Sequence, residues 1–273
     1  MNLTAPPVPP PESSETIHRH KQQNPHIGRD DLRTIVLVRH GESLWNREQR
    51  FTGWTDVELT ALGAKQASCA GMAIADAGLH VDVAITSSLR RAIDSQTHIL
   101  KMVQTVRHRD CLLDWRLNER HYGALTGLDR QEAEAIYGAS TVHQWRRGYA
   151  HCPPRMEISE AHTLVDRLSR SHGVTIPFIP RAESLRDTFN RVKPSWIDTI
   201  SPLLRLGRCV LISAHGNSLR MLIAAMHGTN PSTFCEMDIP NATPMVYELD
   251  SKLRVRNVRY LNTGIDSSAS KIL

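Results

Sequence analysis

The sequence predicts a single-domain α/β protein built on a mostly parallel sheet flanked by helices, and three observations predict it. Two unbroken apolar runs, Thr34-Ile35-Val36-Leu37-Val38 and Cys209-Val210-Leu211-Ile212-Ser213-Ala214, read as strands covered on both faces. Each stops abruptly at a histidine followed by glycine, His40-Gly41 and His215-Gly216. Between them apolar residues recur at helical spacing, so the chain opens β-α-β-α. A chain of 273 residues, 40% of them hydrophobic, is long enough for one large domain with its own core.

The elements follow in order. Residues 1–33 are rich in Pro, Ser, His and Gln and lack apolar periodicity, so they are expected to be a disordered extension. Glu12, Glu15, Asp30 and Asp31 argue against a transit peptide. The domain is expected over 34–262. After the first strand, Thr60 caps a helix to about residue 77, with Leu62, Ala67, Ala70 and Ile74 facing inward and Gly78 stopping it. A strand at 81–86 precedes a helix marked by Leu89, Ala92, Ile93, Gln96, Leu100 and Val103. Leu185, Phe189, Val192, Trp196 and Ile200 mark another helix, expected to bend at Pro194, where a backbone donor is missing. The strand at 209–214 leads to a helix over 218–227 that ends before Gly228, and the last strands are at 245–249 and 255–261. Residues 263–273 are small and polar and are expected to form a flexible tail.

Composition narrows the classes. There is neither an 18-residue apolar run nor a basic start with an apolar core behind it, so a cytoplasmic protein with no membrane partner is expected. The five cysteines are odd in number and include no CxxC pair, which fits neither a disulfide framework nor a zinc site. A formal net charge of +5 suits nucleic acid, an anionic membrane surface or small anions. The basic residues gather at the expected strand ends and no nucleic-acid motif is present, so small anions are the better reading.

Ligands of open α/β sheets bind beyond the carboxyl ends of the strands. Three such ends, Arg39-His40-Gly41, Ser87-Ser88-Leu89-Arg90-Arg91 and His215-Gly216-Asn217, are expected to meet there. Two histidines among arginines describe an electropositive cleft for phosphate; guanidinium groups would repel a metal cation. Imidazole is a competent nucleophile at neutral pH, and phosphoryl transfer asks mainly for positioning and charge neutralisation, which arginine supplies without metal.

Arg39-His40-Gly41-Glu42-Ser43-Leu44-Trp45-Asn46 resembles the signature of the histidine phosphatase superfamily in the form carried by its bisphosphoglycerate-dependent phosphoglycerate mutases. Four further blocks resemble that family in order: 50–56 (RFTGWTD), 117–125 (LNERHYGAL), 144–148 (QWRRG) and 214–220 (AHGNSLR). The resemblance covers about 34–154 and 181–261. It implies that His40 is the residue phosphorylated, that Arg39, Asn46, Arg91 and His215 hold the transferring group, and that Glu119 is the general acid/base. It further implies that Arg120, His121, Tyr122, Arg130, Arg146 and Arg147 bind the rest of the substrate, with Thr52, Gly53, Gly216 and Asn217 contributing.

The activity so implied is interconversion of 2- and 3-phosphoglycerate, primed by 2,3-bisphosphoglycerate and free of metal; a homodimer is left open. Several positions depart from the family pattern. Arg130 replaces a lysine, residues 155–180 lack the acidic loop of the mutases, Asn241-Ala242-Thr243 replaces a glycine-containing turn, and Leu261-Asn262 replaces a Leu-Gly pair. A looser cover over the site favours hydrolysis, because a mutase must keep water from phosphohistidine. A phosphatase on bisphosphoglycerate or another small phosphoester is therefore the alternative, and a non-catalytic phospho-ligand sensor is a third reading.

Overall fold

The structure, a computed structural model, describes residues 32–103 and 110–265. The extension expected over 1–33 and the tail expected over 263–273 lie almost wholly outside the described residues. Six strands form one sheet in the order β3-β2-β4-β1-β5-β6: β1 (Arg33–Arg39), β2 (Val83–Thr86), β3 (Cys111–Leu113), β4 (Val210–Ala214), β5 (Met245–Leu249) and β6 (Val255–Tyr260). The pairs β1–β4, β4–β2 and β2–β3 are parallel, whereas β5 and β6 run antiparallel at one side. This is the mostly parallel, helix-flanked sheet that the sequence predicts.

Alternation along the strands sends side chains to two apolar layers. Ile35, Leu37, Ile85 and Ile212 pack with Leu185 and Val192 of α7 (Leu185–Ser195) and with Leu219 and Leu222 of α9 (Gly216–His227). Val36, Val38, Ala84 and Leu211 pack with Ala67, Ala70 and Ile74 of α2 (Ala61–Asp76) and with Ile99 of α3 (Arg90–Met102). Both faces of β1, β2 and β4 are thus covered, which is why these strands are unbroken apolar runs rather than alternating ones. No helix among the described residues is long and apolar enough to cross a membrane.

Three expectations need correction. Leu62 faces solvent, 47% exposed, and Gly63 takes the inward position. The buried row of α2 is 63, 67, 70 and 74, the helical period, which a row starting at 62 breaks. α9 starts at Gly216, two residues before the expected 218, with His215 as its N-cap residue. The Pro194 helix runs on into a π turn (Trp196–Ile200) and then α8 (Ser201–Arg205); a wider turn absorbs the irregularity downstream of the missing N–H.

The sequence reading assigned nothing to α1 (Leu44–Arg47), α4 (Arg130–Tyr137), α5 (Ala139–Arg147) or α6 (Ile158–His172). α6 occupies the stretch that departs from the mutase pattern. It buries Ala161, Val165 and Leu168, and the last two pack with Trp54 and Leu89. His172 in its last turn meets Asp56 at 2.8 Å.

Candidate active site

β1 and β4 lie in register, with Arg39 opposite Ala214, so the two strand-end histidines emerge side by side. The His40 N–H donates to the Ala214 carbonyl at 3.0 Å, and the His40 and His215 rings are 5.0 Å apart between centroids. His40 Nδ1 is 2.7 Å from the Gly41 carbonyl oxygen, an acceptor only, so Nδ1 carries the hydrogen and Nε2 keeps its lone pair. Asn241 Nδ2 donates to the His40 carbonyl at 2.7 Å and fixes the same residue from the other side. Burial, reinforced by the charges of Arg91 and Arg39, holds His40 well below the usual histidine pKa, so the ring is neutral at pH 7.

The cations around His40 are fixed by the backbone. Arg91 Nη1 and Nη2 donate to the carbonyls of Thr55 and Gly53 at 2.9 and 2.8 Å, and Arg39 Nη1 donates to Ile239 O at 2.8 Å. Desolvation lowers both guanidinium pKa values, that of Arg91 to about 10, which leaves Arg91 charged at pH 7. Arg39 Nε is buried without a hydrogen-bond partner among the described residues. His215 Nε2 is 2.6 Å from Ser87 Oγ, while its Nδ1 is buried. Burial, with Arg91 next, also pushes His215 well below its ordinary pKa.

Glu119 settles a question the sequence leaves open, whether its carboxylate pairs with Arg116 or Arg120. Arg116 is bound to Asp114 instead, at 2.9 Å. Glu119 Oε1 accepts the backbone N–H of Arg120 at 2.7 Å and that of Asn217 at 3.3 Å, so neither guanidinium neutralises it. It lines one cavity with Arg39, His40, Asn46, Thr52, Gly53, Arg91, Tyr122, Arg130, Arg146, Arg147, Gly216 and Asn217. A neutral imidazole, fixed cations and a carboxylate in one cleft have the parts for passing a phosphoryl group through nitrogen.

The profile of the histidine phosphatase superfamily (branch 1) matches residues 35–172 and 159–260, which together span most of the chain. The chain belongs to the histidine phosphatase superfamily. Solved structures share the fold of this superfamily member at low identity. A protein described as mycobacterial hydrolase 1 is 23% identical with a TM-score of 0.63, over 85% of this chain and 98% of that one. A mycobacterial glucosyl-3-phosphoglycerate phosphatase, complexed with VO3, is 24% identical with a TM-score of 0.62, over 84% and 96%. A candidate alpha-ribazole-5'-P phosphatase from Escherichia coli is 19% identical with a TM-score of 0.60, over 84% and 96%.

Three of the expected site residues do not line the cavity of this histidine phosphatase. His215 stands behind it, against His40. Arg120 is fully buried with its Cζ 4.6 Å from the centroid of the Tyr122 ring, and its Nη2 donates to the Arg146 carbonyl at 3.2 Å. It therefore backs Tyr122 and Arg146 rather than facing a ligand. His121 is also buried: its Nδ1 accepts the Gly123 N–H at 3.0 Å and its ring faces Trp54. Burial pushes its pKa to about 4.

Four other residues line the cavity: Arg50, Phe51, Arg220 and Asp238. Arg50, Phe51 and Arg220 lie inside matched sequence blocks, but Arg50 and Arg220 spend donors on Gly127 O and on Asn217 Oδ1, at 2.7 and 2.9 Å. Asp238 carried no signal in the sequence. By contrast, the guanidinium groups of Arg130 and Arg146 make no hydrogen bond or ion pair among the described residues, and with burial their mutual repulsion lowers the Arg146 pKa. In the turn that replaces the family's glycine-containing one, Ala242 takes the left-handed region at φ 46°.

Proposed function

We propose that this chain is a phosphatase that hydrolyses a small phosphomonoester bearing a second anionic group, through a phosphohistidine at His40. The observation that carries this reading is the His40 tautomer, with Nδ1 tied to Gly41 and a lone pair on Nε2 among Arg39, Arg91 and His215. Nε2 attacks phosphorus, the P–O ester bond breaks, and Glu119 in its acid form gives its proton to the leaving oxygen. The carboxylate so formed then takes a proton from water, whose oxygen attacks the phosphohistidine; the P–N bond breaks and phosphate leaves. Arg39 and Arg91 offset the charge on the equatorial oxygens. The Ser87 hydroxyl at Nε2 holds the His215 ring against His40.

Two features support hydrolysis over isomerisation. Among the described residues none between 148 and 215 lines the cavity, since the segment replacing the mutase loop folds as α6 against Trp54 and Leu89. Asp238 adds a carboxylate to a cleft in which a bisphosphorylated intermediate would have to turn round. The solved structures bearing phosphatase names lean the same way.

The second reading is the 2,3-bisphosphoglycerate-primed mutase, and the unpartnered Arg130 and Arg146 favour it, since they offer a second anion site. The test is to follow phosphate release from 3-phosphoglycerate and 2,3-bisphosphoglycerate in excess EDTA, with formation of 2-phosphoglycerate measured in parallel. The phosphatase reading expects EDTA-insensitive phosphate release that outpaces isomerisation. Isomerisation that outpaces phosphate release and needs bisphosphoglycerate would establish the mutase instead.

A further inference from the structure

Behind Glu119 lies a buried ion pair that the phosphoryl-transfer scheme leaves unused. Arg191 on α7 meets Glu183, just before that helix, at 2.7 Å, and the two side chains are 5% and 4% exposed. The fork of Arg191 does more than neutralise Glu183. Its Nη1 donates to the Arg116 carbonyl at 2.7 Å and its Nη2 to the Glu119 carbonyl at 2.8 Å. Glu183 Oε2 accepts the N–H of His121 at 2.8 Å, and the Glu183 N–H returns a bond to the His121 carbonyl at 2.8 Å. Trp54 Nε1 donates to the same Glu119 carbonyl, and the Arg191 guanidinium lies 5.6 Å from the centroid of the Trp54 ring.

One ion pair therefore holds backbone groups of residues 116, 119 and 121, on both sides of the Glu119 Cα. Buried ion pairs are poor stabilisers, because desolvation offsets most of their attraction. A planar fork that satisfies two carbonyls at fixed spacing is, however, a rigid template for the segment that carries them.

We propose that Glu183 and Arg191 are positioning residues that set where the Glu119 carboxyl stands relative to the leaving oxygen. This rests on the reading of Glu119 as the proton donor. A displacement of about 1 Å at a reacting group can lower a rate about 100-fold.

The discriminating measurement compares, by rapid quench, the rate of phosphoenzyme formation from a poor leaving group, 3-phosphoglycerate, with that from an activated one, p-nitrophenyl phosphate, which departs without protonation. Arg191→Lys keeps the charge opposite Glu183 but cannot bridge the two carbonyls. It is expected to slow phosphoenzyme formation from 3-phosphoglycerate about 10- to 100-fold, with the rate of its formation from p-nitrophenyl phosphate within about threefold. Adding it to Glu119→Gln should cost little more than Glu119→Gln alone.

Equal losses on the two substrates in a variant that keeps its circular dichroism and melting transition, or no loss on either, would overturn the proposal. Should Arg191→Lys not fold, Glu183→Gln, which keeps the shape and a hydrogen-bond acceptor, is judged by the same two-substrate ratio. Glu119→Gln separates the two ideas: if it slows phosphoenzyme formation from both substrates alike, the proton-donor reading fails and the positioning role falls with it. If it is selective and neither Arg191→Lys nor Glu183→Gln is, only the positioning role fails.

Discussion

His40 Nδ1 lies 2.7 Å from the carbonyl oxygen of Gly41, its neighbour in the chain, and this bond decides which ring nitrogen is free to react. Replacing His40 by alanine removes the nucleophile and leaves the guanidinium groups in place. Phosphate release is expected to fall by at least about three orders of magnitude while phosphate or vanadate binding persists. Loss of binding together with activity would mean that the substitution disturbed the anion site, not the chemistry alone.

The same residue sets a pH dependence. Burial first, then Arg91 and Arg39, lower the His40 pKa, so the ring stays neutral and nucleophilic below pH 6.5. The acid limb of kcat/KM is expected well below the ordinary histidine range when measured with p-nitrophenyl phosphate and corrected for that substrate's own ionisation. An acid limb at about 6.5 would mean that neither burial nor the arginines act on the free enzyme as argued.

Stability depends on pH through His121, whose pKa is lowered to about 4 mainly by burial. Between that value and 6.5 the unfolded chain holds a proton that the folded one does not, so the contribution is full above about pH 6.5 and is lost as pH falls towards 4. The loss amounts to roughly 3 kcal/mol across the window. His121→Asn keeps an acceptor for the Gly123 N–H and should flatten the fall in Tm between pH 6.5 and 4.5 relative to the unaltered chain.

α2 packs its backbone directly on the loop that follows His40. A Cβ at Gly63 would overlap the backbone of Glu42, and one at Gly41 would overlap that of Gly63. Neither clash can be relieved by a side-chain rotation, so Gly63→Ala is expected to destabilise the fold by about 2 kcal/mol or more in denaturant titrations and to lower activity as the loop shifts. Gly78→Ala is the control: nothing lies within 4 Å of its Cβ, and only the strain of its φ of +67° remains.

Asp238 is exposed at the edge of the cavity, and its charge helps to hold up the Arg39 pKa against burial. Asp238→Asn removes one negative charge without changing shape. The KM for 2,3-bisphosphoglycerate is expected to fall about three- to tenfold, with a smaller change for a substrate bearing one phosphate and no carboxylate. Equal changes for both would show that Asp238 does not discriminate by charge.

The parts of this fold that were legible in the sequence are those whose pattern follows directly from burial. β1 and β4 are covered on both faces and read as unbroken apolar runs, and Thr60, whose side chain accepts the Gly63 N–H at 2.9 Å, marks the start of α2. The three-residue edge strand β3 was too short to show a period, and its Leu112 and Leu113 are 38% and 44% exposed. α6 was legible in principle, since Ala161, Val165 and Leu168 stand at helical spacing.

At the site, motif blocks located the residues but could not say which way each side chain points. Arg120, His121 and Tyr122 are consecutive, yet of the three only Tyr122 lines the cavity. Asp238 sits in no recognisable block, and only the β4–β1–β5 arrangement brings its loop to Arg39.

The most direct test of the account is to trap the phosphoenzyme by rapid quench with a radiolabelled phosphoester and to map the label. The account predicts one acid-labile, alkali-stable phosphoryl group on His40, absent from His40→Ala and still formed from p-nitrophenyl phosphate by Glu119→Gln. Phosphate release with no labelled protein intermediate, or with the label on another residue, would contradict it.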